Sequence, residues 1–202
     1  MSAIKIAPTS SAIALRTIAF SDQVSYPWFA PAGLTRGVVS NATQVGYVNA
    51  EDEFVKVQLS EGQRDVLYTA RMNPIADFPA QGMAVFGQKT TQATSSALDR
   101  INVARLTNHM RHNLDQLSRS FLFEQNDKIT RDNMRDAVER FCGNLVTQRG
   151  LYDFLVVCDN SNNTPARIDR NELWVDVAIQ PAKSVEFIYI PLRIRNTGES
   201  LA

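Results

Sequence analysis

Four places in the chain carry residue types that could do chemistry. Residues 82–90 approximate a phosphate-binding loop, with Gly82 and Gly87 five apart and Lys89-Thr90 following. Gln88 separates the second glycine from the lysine, and Met83-Ala84-Val85-Phe86 reads as a strand, so backbone N–H groups would not converge on a phosphate. His109 and His112 lie three apart on one predicted helix and could share a metal ion. A working site needs a third ligand, and Arg111 between them adds an opposing cation. A metal-dependent hydrolase built on these two histidines therefore stands as an alternative of another class.

Asp159, Ser161 and Asn163 imitate the start of a calcium loop. The glycine and terminal glutamate positions of that loop hold Thr164 and Arg170 instead, and the match fails. No serine sits in a Gly-x-Ser-x-Gly elbow. The two cysteines, Cys142 and Cys158, fall on a helix's apolar face and at a strand end, where free buried thiols are expected. The residues therefore point away from an enzyme and call for no cofactor. What remains is a basic helix face: Arg105, Arg111 and Arg119, with Arg100 near its start, lie largely off the apolar stripe and could dock on an acidic partner.

That stripe belongs to the longest predicted element. Val103, Leu106, Met110, Leu114, Leu117 and Phe121 recur at steps of three and four, which predicts one helix over about 97–123. Met134, Val138, Phe141, Cys142 and Leu145 predict a second over about 131–149, stopped at Gly150. The next residues, Leu151-Tyr152-Asp153-Phe154-Leu155-Val156-Val157-Cys158, are apolar with little alternation. They predict a central strand buried on both faces. Asn162-Asn163-Thr164-Pro165 supplies the turn after it.

Residues 75–78 and 83–86 read as a hairpin, and residues 173–179 and 185–195 as further strands. Ser60-Glu61-Gly62-Gln63 has capping-box spacing. The expected fold is α+β, a mixed β-sheet covered by two main helices, with an irregular N-terminal segment. Residues 1–60 should pack on the domain formed by 61–202, with a loop or excursion near 40–54. Trp28 and Phe29, between two prolines, should staple that segment to the core.

Composition bounds the partners. Of the 202 residues, 44% are hydrophobic and 21% charged, which describes an ordinary globular chain. The 21 basic residues equal the 21 acidic ones. A neutral chain lacks the cation excess that direct nucleic-acid binding needs, while repulsion between copies is weak. No stretch approaches the roughly 20 apolar residues of a membrane-spanning helix, so membrane insertion is not expected.

Collinear with these elements is a series of short motifs. They include Tyr26-Pro27-Trp28-Phe29-Ala30-Pro31-Ala32-Gly33, Arg64-Asp65-Val66-Leu67-Tyr68, Phe86-Gly87-Gln88-Lys89-Thr90, Asp99-Arg100-Ile101-Asn102-Val103, Leu122-Phe123-Glu124 and Asn162-Asn163-Thr164-Pro165. In this order the sequence resembles the C-terminal portion of contractile-tail sheath proteins of T4-like myophages, over roughly residues 12–196. It departs from the family pattern at Tyr26, Ala104 and Gln125, where Asp, Arg and an apolar residue are common.

The resemblance implies a virion structural subunit that polymerises helically around a tail tube and contracts to drive the tube through the host envelope, for genome ejection and host cell entry. It implies assembly in the host cytoplasm and, as partners, other sheath subunits, the tail tube protein, and baseplate and tail terminator proteins. The sheath of a non-phage contractile injection system is the alternative within the same physics. Family members exchange N- and C-terminal arms that add strands to a neighbour's sheet, so Val185, Phe187, Tyr189, Leu192 and Ile194 are inter-subunit strand candidates. Arg105, Arg111 and Arg119 are tube-contact candidates.

Family members are much longer at the N-terminus. A chain with half of the arm exchange is expected to sediment as a monomer at micromolar concentration; long tubes formed by residues 1–202 alone would contradict that expectation.

Overall fold

The structure is a computed structural model that describes residues 9–40, 42 and 44–191. Helix α1 spans Ser10–Val24 and starts where the Thr9 hydroxyl accepts the Ala12 N–H. The proline-flanked aromatic segment and the short α2 (Gly33–Arg36) follow. Strands β1 (Gly46–Val48) and β2 (Phe54–Lys56) form a hairpin around Asn49, whose side chain accepts the Glu51 and Glu53 N–H groups. Helix α3 (Glu61–Thr69) is started by the reciprocal Ser60–Gln63 box that its spacing predicts.

Strands β3 (Ile75–Phe78) and β4 (Gly82–Val85) pair antiparallel around a turn with Ala80 and Gly82 at positive φ. A single 3₁₀ turn, Ala97–Asp99, leads into α4 (Ile101–Arg119). Helix α5 (Lys128–Thr147) is capped by Asp127, which accepts the Thr130 N–H. Strand β5 (Leu151–Val157), the short α6 (Pro165–Ile168) and β6 (Asp176–Pro181) complete the series.

The main core lies where α4 and α5 meet β5 and β6. Leu106 and Met110 of α4 and Met134, Val138, Cys142 and Leu145 of α5 pack with Leu151 and Val156 of β5. Trp28 closes this core, 6% exposed, and its indole N–H donates to the carbonyl of Gln148, the C-cap of α5, at 3.0 Å. Its ring stacks on Tyr26 at 4.9 Å and meets His109 edge-on at 5.2 Å. Gly150 matters for the same reason. A Cβ there would come within 3.2 Å of the Trp28 ring and 3.3 Å of the Leu145 carbonyl. A smaller cluster of Val39, Met83 and Val85, joined by Ile13 and Ile75, ties the N-terminal segment to the β3–β4 hairpin.

The α+β class and both main helices stand as expected. The strands do not merge into one mixed sheet: among the described residues they form three separate two-stranded antiparallel pairs. Nor is β5 buried on both faces. Tyr152 and Leu155 are 63% and 62% exposed, because the helices cover only the Leu151 and Val156 side.

The excursion near 40–54 contains β1, and the described part of the N-terminal segment begins with a fifteen-residue helix capped by Thr9 before it turns irregular. At the end of α5 the left-handed position falls on Arg149, φ 63°, with the Gly150 N–H bonded back to Leu145. The glycine is thus required by the approach of Trp28 and not by its own φ. Among the described residues, 183–191 join no sheet, and Leu192 and Ile194 lie outside the described residues.

Trp28→Ala is expected to lower unfolding free energy by about 3–5 kcal/mol, read from urea unfolding. Trp28→Phe should keep part of that packing but leave the Gln148 carbonyl without its donor. A wild-type transition for Trp28→Ala would contradict this role.

Candidate interaction surfaces

The three arginines expected to face a partner do not form one free patch. Arg105 is turned to α1 and grips Asp22 through Nη2 at 2.5 and 2.6 Å. Arg119 pairs with Asp115 one turn back at 2.7 Å. Arg111 is exposed and, among the described residues, makes no ion pair; it lies beside Met110 and Leu114 next to Val177 and Ile179 of β6.

His109 and His112 do not converge on a shared ligand set. His109 is half-buried between Trp28 and Phe141, and burial first, then the His112 charge, lowers its pKa. His112 faces Gln116 at 3.0 Å. Among the described residues no group of three or more His, Cys, Asp or Glu side chains could hold a metal ion. Cys142 and Cys158 are free and buried, with thiols pushed up by burial, which places them in the core.

The β5–β6 pair is the more open surface. Its inner face rests on the helices through Leu151, Phe154, Val156, Val177 and Ile179. Tyr152 and Leu155 mark its outer face, and among the described residues each strand has one neighbour only. Unpaired N–H and C=O groups along such edges are a template for another strand.

Two asparagines hold the pair together at its far end. Asn163 is 1% exposed; its side chain accepts the Trp174 N–H at 2.7 Å and donates to the Trp174 and Asp159 carbonyls. Asn162 donates to the Val157 carbonyl and to Asp176 Oδ2, bridging the ends of both strands. The sequence marks this stretch as a turn, but not the side-chain staple inside it.

At the other end of β6 the chain crosses onto the start of α4. The Ala182 N–H donates to the Gly150 carbonyl at 3.0 Å, and Asn102 donates to the Ala182 carbonyl at 3.3 Å. Glu186 then meets Arg100 in a two-pronged ion pair, Nε to Oε1 at 2.6 Å and Nη2 to Oε2 at 2.9 Å. Gln88 donates to the same carboxylate at 3.2 Å and to the Ser184 hydroxyl at 3.0 Å. A cleft of about 1050 Å³ lies between this crossing segment, α3 and the Trp28 segment.

The segment's large apolar side chains, Val185, Phe187, Ile188, Tyr189 and Ile190, are all exposed. None of these groupings assembles a nucleophile, base and electrophile around one point. Among the described residues they assemble an open two-stranded sheet and a segment that pairs with no strand.

This fold is shared with chains of contractile systems of known structure. The chain superposes with a TM-score of 0.74 on a chain of the anti-feeding prophage (AFP) baseplate, at 20% identity, covering 92% of this chain and 50% of that one. It superposes equally, at 0.74 and 21% identity, on a chain of the PVC sheath complex of an extracellular contractile injection system in the contracted state. There it covers 91% of this chain and 50% of the other.

Residues 93–195 match the phage tail sheath C-terminal domain, and the chain belongs to that family. It is 36% identical over 184 residues to the tail sheath protein of Vibrio phage KVP40, covering 91% of this chain and 26% of that protein. With the tail sheath protein of Enterobacteria phage T4 it shares 35% over 178 residues, covering 88% and 26%. The chain thus spans about a quarter of the length of the curated relatives it matches.

The Glu186 environment generates a pH dependence. Burial alone would push its carboxyl up, but hydrogen bonds from Arg100, Tyr68 and Gln88 and the Arg100 charge outweigh it and hold the carboxyl below its usual range. Asp99 pairs with the same guanidinium at 3.0 Å, and the Tyr68 hydroxyl is pushed up, by burial first and by Glu186 next. A carboxyl lowered by folding stabilises fully above its unfolded value, and that contribution is lost as pH falls through the lowered folded value. The stability difference between wild type and Glu186→Gln should therefore shrink as pH falls below the ordinary carboxylate range; a difference constant with pH would contradict it.

Proposed function

We propose that this chain is the conserved inner part of a contractile phage tail sheath subunit, which packs helically with other copies around a tail tube. The observation that carries this reading is an open two-stranded sheet and a run of exposed apolar side chains in one family member. Each supplies what the other lacks: among the described residues the sheet has free edges, and residues 187–190 have main-chain groups paired with no strand and β-forming side chains.

Strand addition between copies would link subunits through main-chain hydrogen bonds that survive a change in relative orientation. That is the property a contracting array needs. The N-terminal segment, residues 1–60, accompanies the domain of residues 61–202 and joins it through Trp28 and Ile13. The role is mechanical, with no bond chemistry of the chain's own. The tail tube, baseplate and tail terminator are its further partners, and assembly takes place in the host cytoplasm before the sheath becomes part of the virion.

Identity of 35–36% with the two phage sheath proteins, against 20–21% with the injection-system chains, favours the phage setting.

Two measurements test the reading. A peptide of residues 185–196 should bind the chain in trans and shift NMR resonances confined to β5 and β6; an absence of shifts, or shifts spread over α4, would overturn strand addition. For the tube, Arg111 is the one of the three candidates without an ion pair among the described residues. Arg111→Glu and added salt should both weaken co-sedimentation with tubes while the melting curve is kept, and salt-independent binding would remove that contact.

A further inference from the structure

Residues 182–190 change character at one position. Up to Glu186 the segment alternates as a strand lying on a surface does: Ala182, Ser184 and Glu186 are part-buried, while Lys183 and Val185 point outward. After Glu186 the alternation ends. Ile188 and Ile190 fall in the inward phase, yet they are 76% and 84% exposed, as open as Tyr189 in the outward phase.

Both polar inward side chains before this break have partners. Ser184 accepts from Gln88, and Glu186 is held by Arg100 and Gln88. Those partners are themselves fixed. Gln88 is buried, its carbonyl accepts the Ile101 N–H at 2.8 Å, and Arg100 is the residue on which α4 begins. Beyond Glu186 the described chain, Phe187-Ile188-Tyr189-Ile190-Pro191, has no side-chain hydrogen bond to the rest of the molecule.

We infer that Glu186 latches the root of the C-terminal segment to the start of α4, so that the strand offered to a neighbouring copy begins at Phe187. This rests on the strand-exchange reading above. Its consequence is a division of labour within one extended segment: Val185 belongs to the anchored root, and Phe187 and Tyr189 belong to the donated strand.

The latch also determines where the strand leaves the domain. Its bonds converge on a bidentate ion pair, which fixes orientation as well as position. A neighbour then meets a segment whose first residue is already placed, and less conformational freedom is lost on docking than with a tether free from Ala182 onward. Glu186 is thus a positioning residue. It touches no partner and acts through the residues that follow it.

Spin-label distances on the isolated chain test this without assembly. One nitroxide is placed at Arg140→Cys on the exposed side of α5, and the second at Val185→Cys or Ile190→Cys; native Cys142 and Cys158 are buried. The expected result is a narrow distance distribution for the Val185 label and a broad one for the Ile190 label. Glu186→Gln and Arg100→Gln should broaden the Val185 distribution, and the charge swap Arg100→Glu with Glu186→Arg should narrow it again.

A cooperative melting transition in Glu186→Gln would show that only the root has been released. A Val185 distribution unchanged by Glu186→Gln, or already as broad as that of Ile190 in the wild type, would overturn the latch. Either result would leave strand exchange itself untouched, since the trans-peptide measurement reads that separately.

Discussion

The structure depends on a one-sided burial. The paired helices α4 and α5 cover a single face of a two-stranded sheet, and Trp28 seals the seam where α5 hands over to β5. A lone hairpin of two strands is marginal in water, so β5 and β6 owe their order to the apolar face pressed on Leu106, Met110, Val138 and Leu145. Among the described residues the same arrangement leaves the other face and the outer edges open. Covering them with elements of this chain would stabilise the domain and remove the surface on which the proposed assembly relies.

Rigidity and freedom are consequently separated in space. The Asn162–Asn163 staple fixes one end of the strand pair, and the crossing from Gly150 to Glu186 fixes the other. Between these points the strands keep their register against a packed core. Residues 187–190 make no side-chain hydrogen bond to the rest of the described chain, and they are aromatic and β-branched rather than polar. An array held together by such strands can alter the angles between subunits while its main-chain links persist, because the domain that carries each link does not deform. In this reading contraction rearranges whole domains around conserved connections.

Much of this was legible in the residues. Steps of three and four among Val103, Leu106, Met110 and Leu114 encode α4, and Ser60 with Gln63 encodes the start of α3. The apolar run of β5 was legible in type but misleading in context. Tyr152 and Leu155 look like core residues because local pattern reports that a side chain favours burial, not which molecule will bury it. Arg105 shows the opposite limit. It reads as a free cation on a helix face, yet Asp22, 83 residues earlier, occupies it, and no periodicity relates the two. The Arg100–Glu186 pair, 86 residues apart, was hidden for the same reason.

The central claim is that the open edges of β5 and β6 and the segment after Glu186 are completed by other copies of the chain. Residue-resolved amide hydrogen exchange, compared between the free chain and an assembled sheath containing it, tests that claim most directly. The account predicts fast exchange in the free chain at residues 187–190 and at the outward-facing amides of β5 and β6, with protection appearing at both on assembly. Exchange at these amides that is the same in the two states would contradict it.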